Sequence, residues 1–156
     1  MEDMNQPSYR SATLDDLPIL LEFEQGIVAA ERPFDPTLKP DPISYYDLEV
    51  LIRSEDAQVV VAVVNDELVG SGYLKIMQSK PYLTHEFHGY IGFMFVRPEH
   101  RGKGIGQGLI EKLIGWARVR GLKEVRLDVY DENEVAVRSY KKAGFSKNLV
   151  EMRLAL

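Results

Sequence analysis

Glycines at 102, 104 and 106 interrupt a short basic segment, Arg101-Gly102-Lys103-Gly104-Ile105-Gly106-Gln107-Gly108. Glycine lets the backbone bend tightly with no Cβ in the way, so successive amide N–H groups can converge on one point. An apolar run, Tyr90 to Val96, precedes the segment and a helically periodic one, Leu109 to Arg120, follows it, so it reads as the turn from a strand into a helix. The first turn of that helix adds unpaired N–H groups and the positive end of its dipole, and a phosphate group is the natural guest. Two named phosphate loops fail on spacing. The dinucleotide fingerprint needs a further glycine at 107 or 109, where Gln107 and Leu109 stand, and the triphosphate loop needs a Gly-Lys-Ser or Gly-Lys-Thr that the chain lacks.

The elements that must position this loop can be read along the chain. Ser8 to Ala12 reads as a strand, and Thr13-Leu-Asp-Asp16 as a helix start with Pro18 in the first turn. Leu17, Leu20, Leu21, Ile27 and Val28 form one helical stripe with Glu24 in its middle, either reaching sideways to solvent or lining a pocket beneath the helix. The proline-dense stretch from Glu31 to Pro42 is a loop, and Ser44 to Arg53 a helix capped by Ser44-x-x-Asp47. Ala57 to Val64 and Leu68 to Gln78 form a hairpin around Asn65-Asp66. In the strand before the loop, Gly89 and Gly92 suggest a bulge or a close backbone approach. Val125 to Tyr130 is a further strand, Asn133 to Ala143 a helix closed by Gly144, and Val150, Met152 and Leu154 alternate as a last strand. The fold class is therefore α/β with a mixed central sheet, in one domain over residues 1–156.

Arg101-x-x-Gly104-x-Gly106 resembles the Arg/Gln-x-x-Gly-x-Gly/Ala signature of the GNAT superfamily of N-acetyltransferases, where the loop holds the pyrophosphate of acetyl-coenzyme A. A second stretch, Leu127-x-Val129-x-x-x-Asn133-x-x-Ala136-x-x-x-Tyr140-x-x-x-Gly144-Phe145, is similar to the end of that fold, where the Asn contacts the coenzyme and the Tyr stands beside its sulfur. Asn133 and Tyr140 lie seven residues apart, two helical turns, and so share a face. The resemblance implies an antiparallel N-terminal sheet and a parallel pair of strands splayed at the cofactor loop. It implies coenzyme contacts from Met94, Phe95, Val96, Arg101, Gly102, Lys103, Gly104, Ile105, Gly106, Gln107 and Asn133. In the family the connection between the first two helices shapes the acceptor site, which makes Glu31, Phe34 and Asp35 candidates for substrate contact, with Glu24 beneath the helix.

Acetyl transfer to an amine requires a deprotonated amine, a polarised carbonyl, donors for the oxyanion and a proton for the departing thiolate. Strand amides near Phe95 and Val96 suit the carbonyl, and Tyr140 suits the thiolate because a phenol stays protonated at neutral pH. Many relatives place a base, Glu, where Gly92 or Phe93 stands here. The remaining candidates are Asp128, as in some relatives, Glu86, His88, or a water chain. His85 and His88 lack a third ligand at metal-binding spacing, so no metal is expected.

Composition limits the alternatives. The 156 residues are 45% hydrophobic and 28% charged, as in a globular domain. Cysteine is absent, which removes thiolate catalysis and disulfides. A net charge of -5 argues against a nucleic-acid partner. No apolar run approaches the roughly 20 residues of a membrane span, and residues 1–7 have no signal-peptide character, so a cytoplasmic location is expected. The reading is an acetyl-coenzyme A-dependent N-acetyltransferase with a small-molecule or peptide amine acceptor, or a coenzyme A-binding sensor that lost turnover. Its oligomeric state is open, a homodimer included.

Overall fold

The computed structural model describes residues 6–156; the N-terminal reading of residues 1–5 lies outside them. Five strands form one sheet in chain order: β1 (Ser8–Ser11), β2 (Ala57–Val64), β3 (Glu67–Gln78), β4 (Phe87–Val96) and β5 (Val125–Leu127). The first four pair antiparallel, and β4 pairs parallel to β5. Helices α1 (Leu17–Glu31) and α2 (Leu48–Arg53) cover one face, and α3 (Ile105–Val119) the other, with α4 (Glu134–Lys142) following β5.

Strand alternation explains why β2 is apolar from Val59 to Val64. Val59 and Val61 pack under α1 with Leu20 and Phe23, while Val60 and Ala62 pack under α3 with Leu109 and Leu113. The β2–β3 turn carries Asn65 and Asp66 at φ 50° and 63°, the left-handed pair that matches strand twist. Asp16 closes the start of α1: its carboxylate accepts from the Thr13 N–H at 2.8 Å and from Arg10 at 2.8 and 2.9 Å.

A bulge in β4 shapes the functional end of the sheet. Tyr73 pairs with Gly92 and Ser71 with Phe95, so Phe93 and Met94 oppose the single residue Gly72, and Phe93 takes φ 59°. The β4–β5 ladder ends at the Ile91–Leu127 pair while β4 continues to Val96, which opens a gap between the two strands. Arg97 N–H bonds the Val69 carbonyl at 2.8 Å on the β3 side. By antiparallel alternation, the Val96 amide then faces the gap.

Two expectations are corrected. The helix expected from Ser44 begins only at Leu48, capped by Asp47, whose side chain accepts from Val50 N–H at 3.2 Å. Residues 44–46 cannot join it, because Glu24 holds their backbone amides and hydroxyl in an irregular path. The expected last strand does not form. Val150, Met152 and Leu154 alternate but find no ladder, and they are 71%, 91% and 85% exposed. The tail is tied instead by Arg153, whose guanidinium donates to Asp35 at 2.9 Å.

Candidate active site

The loop after β4 forms a helix start with no side-chain cap. Gly102 and Gly104 adopt φ 75° and 82°, and Gly104 caps α3 without any side-chain hydrogen bond. The first α3 ladder bond runs from Gly108 N–H to Gly104 carbonyl at 3.0 Å, which leaves the N–H groups of Ile105, Gly106 and Gln107 without a helical acceptor. Arg101 donates from Nε to the Val96 carbonyl at 3.0 Å, holding its guanidinium beside the loop. The cleft here is about 400 Å³ and is lined by Arg101, Gly102, Gly104, Gly106, Arg138 and Lys142 among others.

Arg138 and Lys142 were not anticipated from the sequence. They stand four apart on α4 and so share the helix face turned to the loop. Neither forms a salt bridge among the described residues. A cationic groove with unpaired donors and unneutralised side chains fits a pyrophosphate. Gln107, expected at the coenzyme, spends its side-chain amide on Ser139, bonding the carbonyl at 2.9 Å and the hydroxyl at 3.2 Å. That contact docks α4 against α3 at the residue before Tyr140. Lys103 lies in the same turn with no ion pair among the described residues.

Asn133 caps α4, its carbonyl oxygen accepting from Ala136 N–H at 3.3 Å, which leaves its amide N–H₂ free to donate. Tyr140 rests edge-on against Phe145, ring centroids 6.1 Å apart. Burial, reinforced by the nearby Glu31 carboxylate, pushes its phenol up to about 12, so it remains a proton donor at neutral pH.

On the opposite face of the sheet lies a larger cleft of about 850 Å³, walled by Tyr45, Tyr46, Tyr73, Tyr90, Lys75 and Asp128 among others. Asp128 sits just past the end of β5, where its Oδ2 accepts from the Tyr90 hydroxyl at 2.9 Å. The glycine at 92 now has a physical reason. A Cβ there would lie 2.5 Å from the Tyr73 hydroxyl, so the Tyr73 ring occupies the place a carboxylate would need. His88 is buried with Nδ1 at 2.8 Å from the Ser79 hydroxyl, and burial lowers its pKa. It therefore contributes a neutral ring to the wall. Glu86 precedes β4 and is not among the residues lining the cleft.

The expected acceptor residues separate. Glu24 is 1% exposed, and its carboxylate accepts from the amides of Tyr45 at 3.0 Å and Tyr46 at 2.9 Å, with the Ser44 hydroxyl at 3.4 Å. It does not reach solvent: it clamps the segment that presents Tyr45 and Tyr46. Phe34 stacks on Tyr130 with centroids 5.9 Å apart. Asp35 fixes the same loop by accepting from Thr37, Tyr130 and Arg153, and the Arg153 guanidinium holds its carboxyl well below the usual range.

Glu31 alone among the helix carboxylates keeps a demanding environment. Burial raises its pKa, and the Tyr45 hydroxyl, buried without a hydrogen-bond partner, faces it from outside bonding geometry and only eases the shift. A carboxyl raised in the folded state favours folding at low pH, and that contribution is lost as pH rises through the folded value. Glu31→Gln is therefore expected to raise the melting temperature at pH 7, with the gain gone near the ordinary Glu value of about 4.3. Thermal melts at the two pH values check this, and an unchanged or lowered melting temperature at neutral pH would contradict it.

The acetyltransferase (GNAT) family matches residues 24–145 of the chain. An uncharacterized N-acetyltransferase of Methanocaldococcus jannaschii is 33% identical over 148 residues, 90% of this chain and 61% of that protein. One from Bacillus subtilis is 42% identical over 59 residues, 38% of this chain and 24% of that protein. The chain thus spans less than two thirds of either of these relatives. Among solved structures, a tetramutant of a Bacillus halodurans protein superposes with a TM-score of 0.84 at 23% identity, covering 96% of this chain and 99% of that one. A Clostridium acetobutylicum protein solved with acetyl-CoA gives a TM-score of 0.76 at 20% identity, covering 96% of each chain. At these identities the structures establish a shared fold.

Proposed function

This chain belongs to the GNAT family of acetyltransferases, and we propose that it moves the acetyl group of acetyl-coenzyme A directly to a primary amine. The observation that carries the reading is the cradle of N–H groups at Ile105, Gly106 and Gln107, set where β4 parts from β5 and faced by the helix bearing Asn133 and Tyr140. Acetyl-coenzyme A supplies an activated acetyl thioester.

The cradle, Arg101, Lys103, Arg138 and Lys142 hold the pyrophosphate, and the Asn133 amide donates to the coenzyme. The Met94–Val96 edge borders its arm, and the Val96 N–H facing the gap polarises the acetyl carbonyl. Asp128 receives the proton that the amine loses. Its Oδ2 is held by Tyr90, and its Oδ1 makes no bond among the described residues. Tyr140 delivers a proton to the sulfur as the C–S bond breaks and the C–N bond forms, so charge balances without an acyl-protein species. Burial, with Glu31 adding to it, keeps Tyr140 protonated. Phe34, through Tyr130, fixes the loop at the edge of the acceptor site.

The test is release of free thiol from acetyl-coenzyme A during incubation with a panel of amines. Expected is release that depends on the amine. Coenzyme binding with no release for any amine would replace this reading with a coenzyme-binding sensor.

A further inference from the structure

We infer that the acceptor carries an anionic group, carboxylate or phosphate, besides its reactive amine, and that Lys75 binds it. The inference deepens the transferase reading and rests on it for the amine. Strand register puts the relevant side chains on one surface. Lys75 pairs across the ladder with Tyr90, and Tyr90 with Arg126, so these three point to the same face. Tyr73 lies two residues before Lys75, and Asp128 two after Arg126. All five line the 850 Å³ cleft, a size within the roughly 300–1,000 Å³ of small-molecule sites.

Lys75 is half-buried, and its ammonium stands 5.8 Å from the Tyr73 ring centroid and 5.7 Å from that of Tyr90. Two aromatic faces hold a cation in place but accept none of its three N–H bonds in the plane of an oxygen lone pair. Among the described residues Lys75 has no carboxylate within salt-bridge distance. The other charges in the cleft are engaged or oriented elsewhere. Arg126 is paired with Glu124, Asp47 caps α2, and the His88 ring bonds Ser79.

Direction follows from the same register. The β4–β5 gap opens beyond the Ile91–Leu127 pair, beside Asp128, whereas Lys75 lies opposite Tyr90 on the closed part of the sheet. An acceptor bound with its amine at Asp128 presents nitrogen to the gap. Its anionic group then reaches back to Lys75, and the two charges of the ligand meet the two unpaired charges of the cleft.

The experiment compares amines that differ only in the anionic group: amino acids against the amines lacking their carboxylate, and phosphoethanolamine against ethanolamine. Thiol release is expected to show kcat/KM at least about tenfold higher for the anionic member of the preferred pair, a difference equal to one well-formed charged contact. Lys75→Gln is expected to erase that preference through KM with kcat retained. A parallel calorimetric titration uses the N-acetylated products, which need no turnover. Binding of the anionic product that is lost in Lys75→Gln supports the inference even if no amine reacts, an outcome that would overturn only the transferase reading. Equal use of uncharged amines, or an anion preference untouched by Lys75→Gln, would overturn the inference and leave acetyl transfer standing.

Discussion

Gly104→Asp is expected to lower acetyl-coenzyme A affinity by about 100-fold or more, roughly 2.7 kcal/mol, while the protein stays folded. The fold survives because a Cβ at this position meets nothing within 4 Å. The backbone there sits at φ 82°, a conformation that costs a non-glycine residue on the order of 1–2 kcal/mol. The binding loss has a different source. The new carboxylate would stand at the N-terminus of α3, beside the unpaired N–H groups of Ile105, Gly106 and Gln107, where the pyrophosphate belongs. It would repel the ligand and satisfy the same donors from within the chain. Gly104→Ala separates the effects, since it carries the strain without the charge and should weaken binding only a few-fold. A titration in which the Asp variant binds as tightly as the parent would remove the loop from the coenzyme site.

Tyr140→Phe is expected to lower kcat by about 100-fold with little change in the KM for acetyl-coenzyme A, the signature of an interaction made only as the thiolate departs. Size and ring packing are kept, including the edge-on contact with Phe145, so a loss of rate reports the hydroxyl and not the fold. The phenol titrates at about 12 because of burial and the Glu31 charge, so it stays protonated across the neutral and mildly alkaline range. The parent kcat should therefore show no alkaline decline from this group until the pH approaches that value. Unchanged kcat in the Phe variant would assign the sulfur's proton to solvent.

Local chemistry makes the proposed coenzyme end legible in the sequence. Glycines at fixed spacing, a helix start, and Asn133 and Tyr140 two turns apart are properties of single elements, readable without knowing what packs against them. The proposed acceptor end depends on register, which sequence does not print. Lys75, Tyr73, Tyr90 and Asp128 meet only because β3, β4 and β5 align as they do, and the bulge at Phe93 puts two successive β4 residues, Gly92 and Phe93, toward α1. Glycines at 89 and 92 hinted at the irregularity but not at the ring of Tyr73 lying over Gly92. The setting of Glu24 was hidden for a related reason. Helical periodicity places a carboxylate on the buried stripe, yet the partners that make burial tolerable, the amides of Tyr45 and Tyr46, come from a loop about twenty residues away. The tail's alternation was real, and it lacked the partner strand that would make it a strand.

The most direct measurement follows an isotopically labelled acetyl group from acetyl-coenzyme A in the presence of a reactive amine, with mass spectrometry of both the small molecules and the intact protein. Label should appear on the amine nitrogen in step with free coenzyme A, with no labelled protein at any time, and both signals should collapse in Tyr140→Phe. Label held covalently on the protein during turnover, or coenzyme consumed with no labelled amine, would contradict direct transfer at this site.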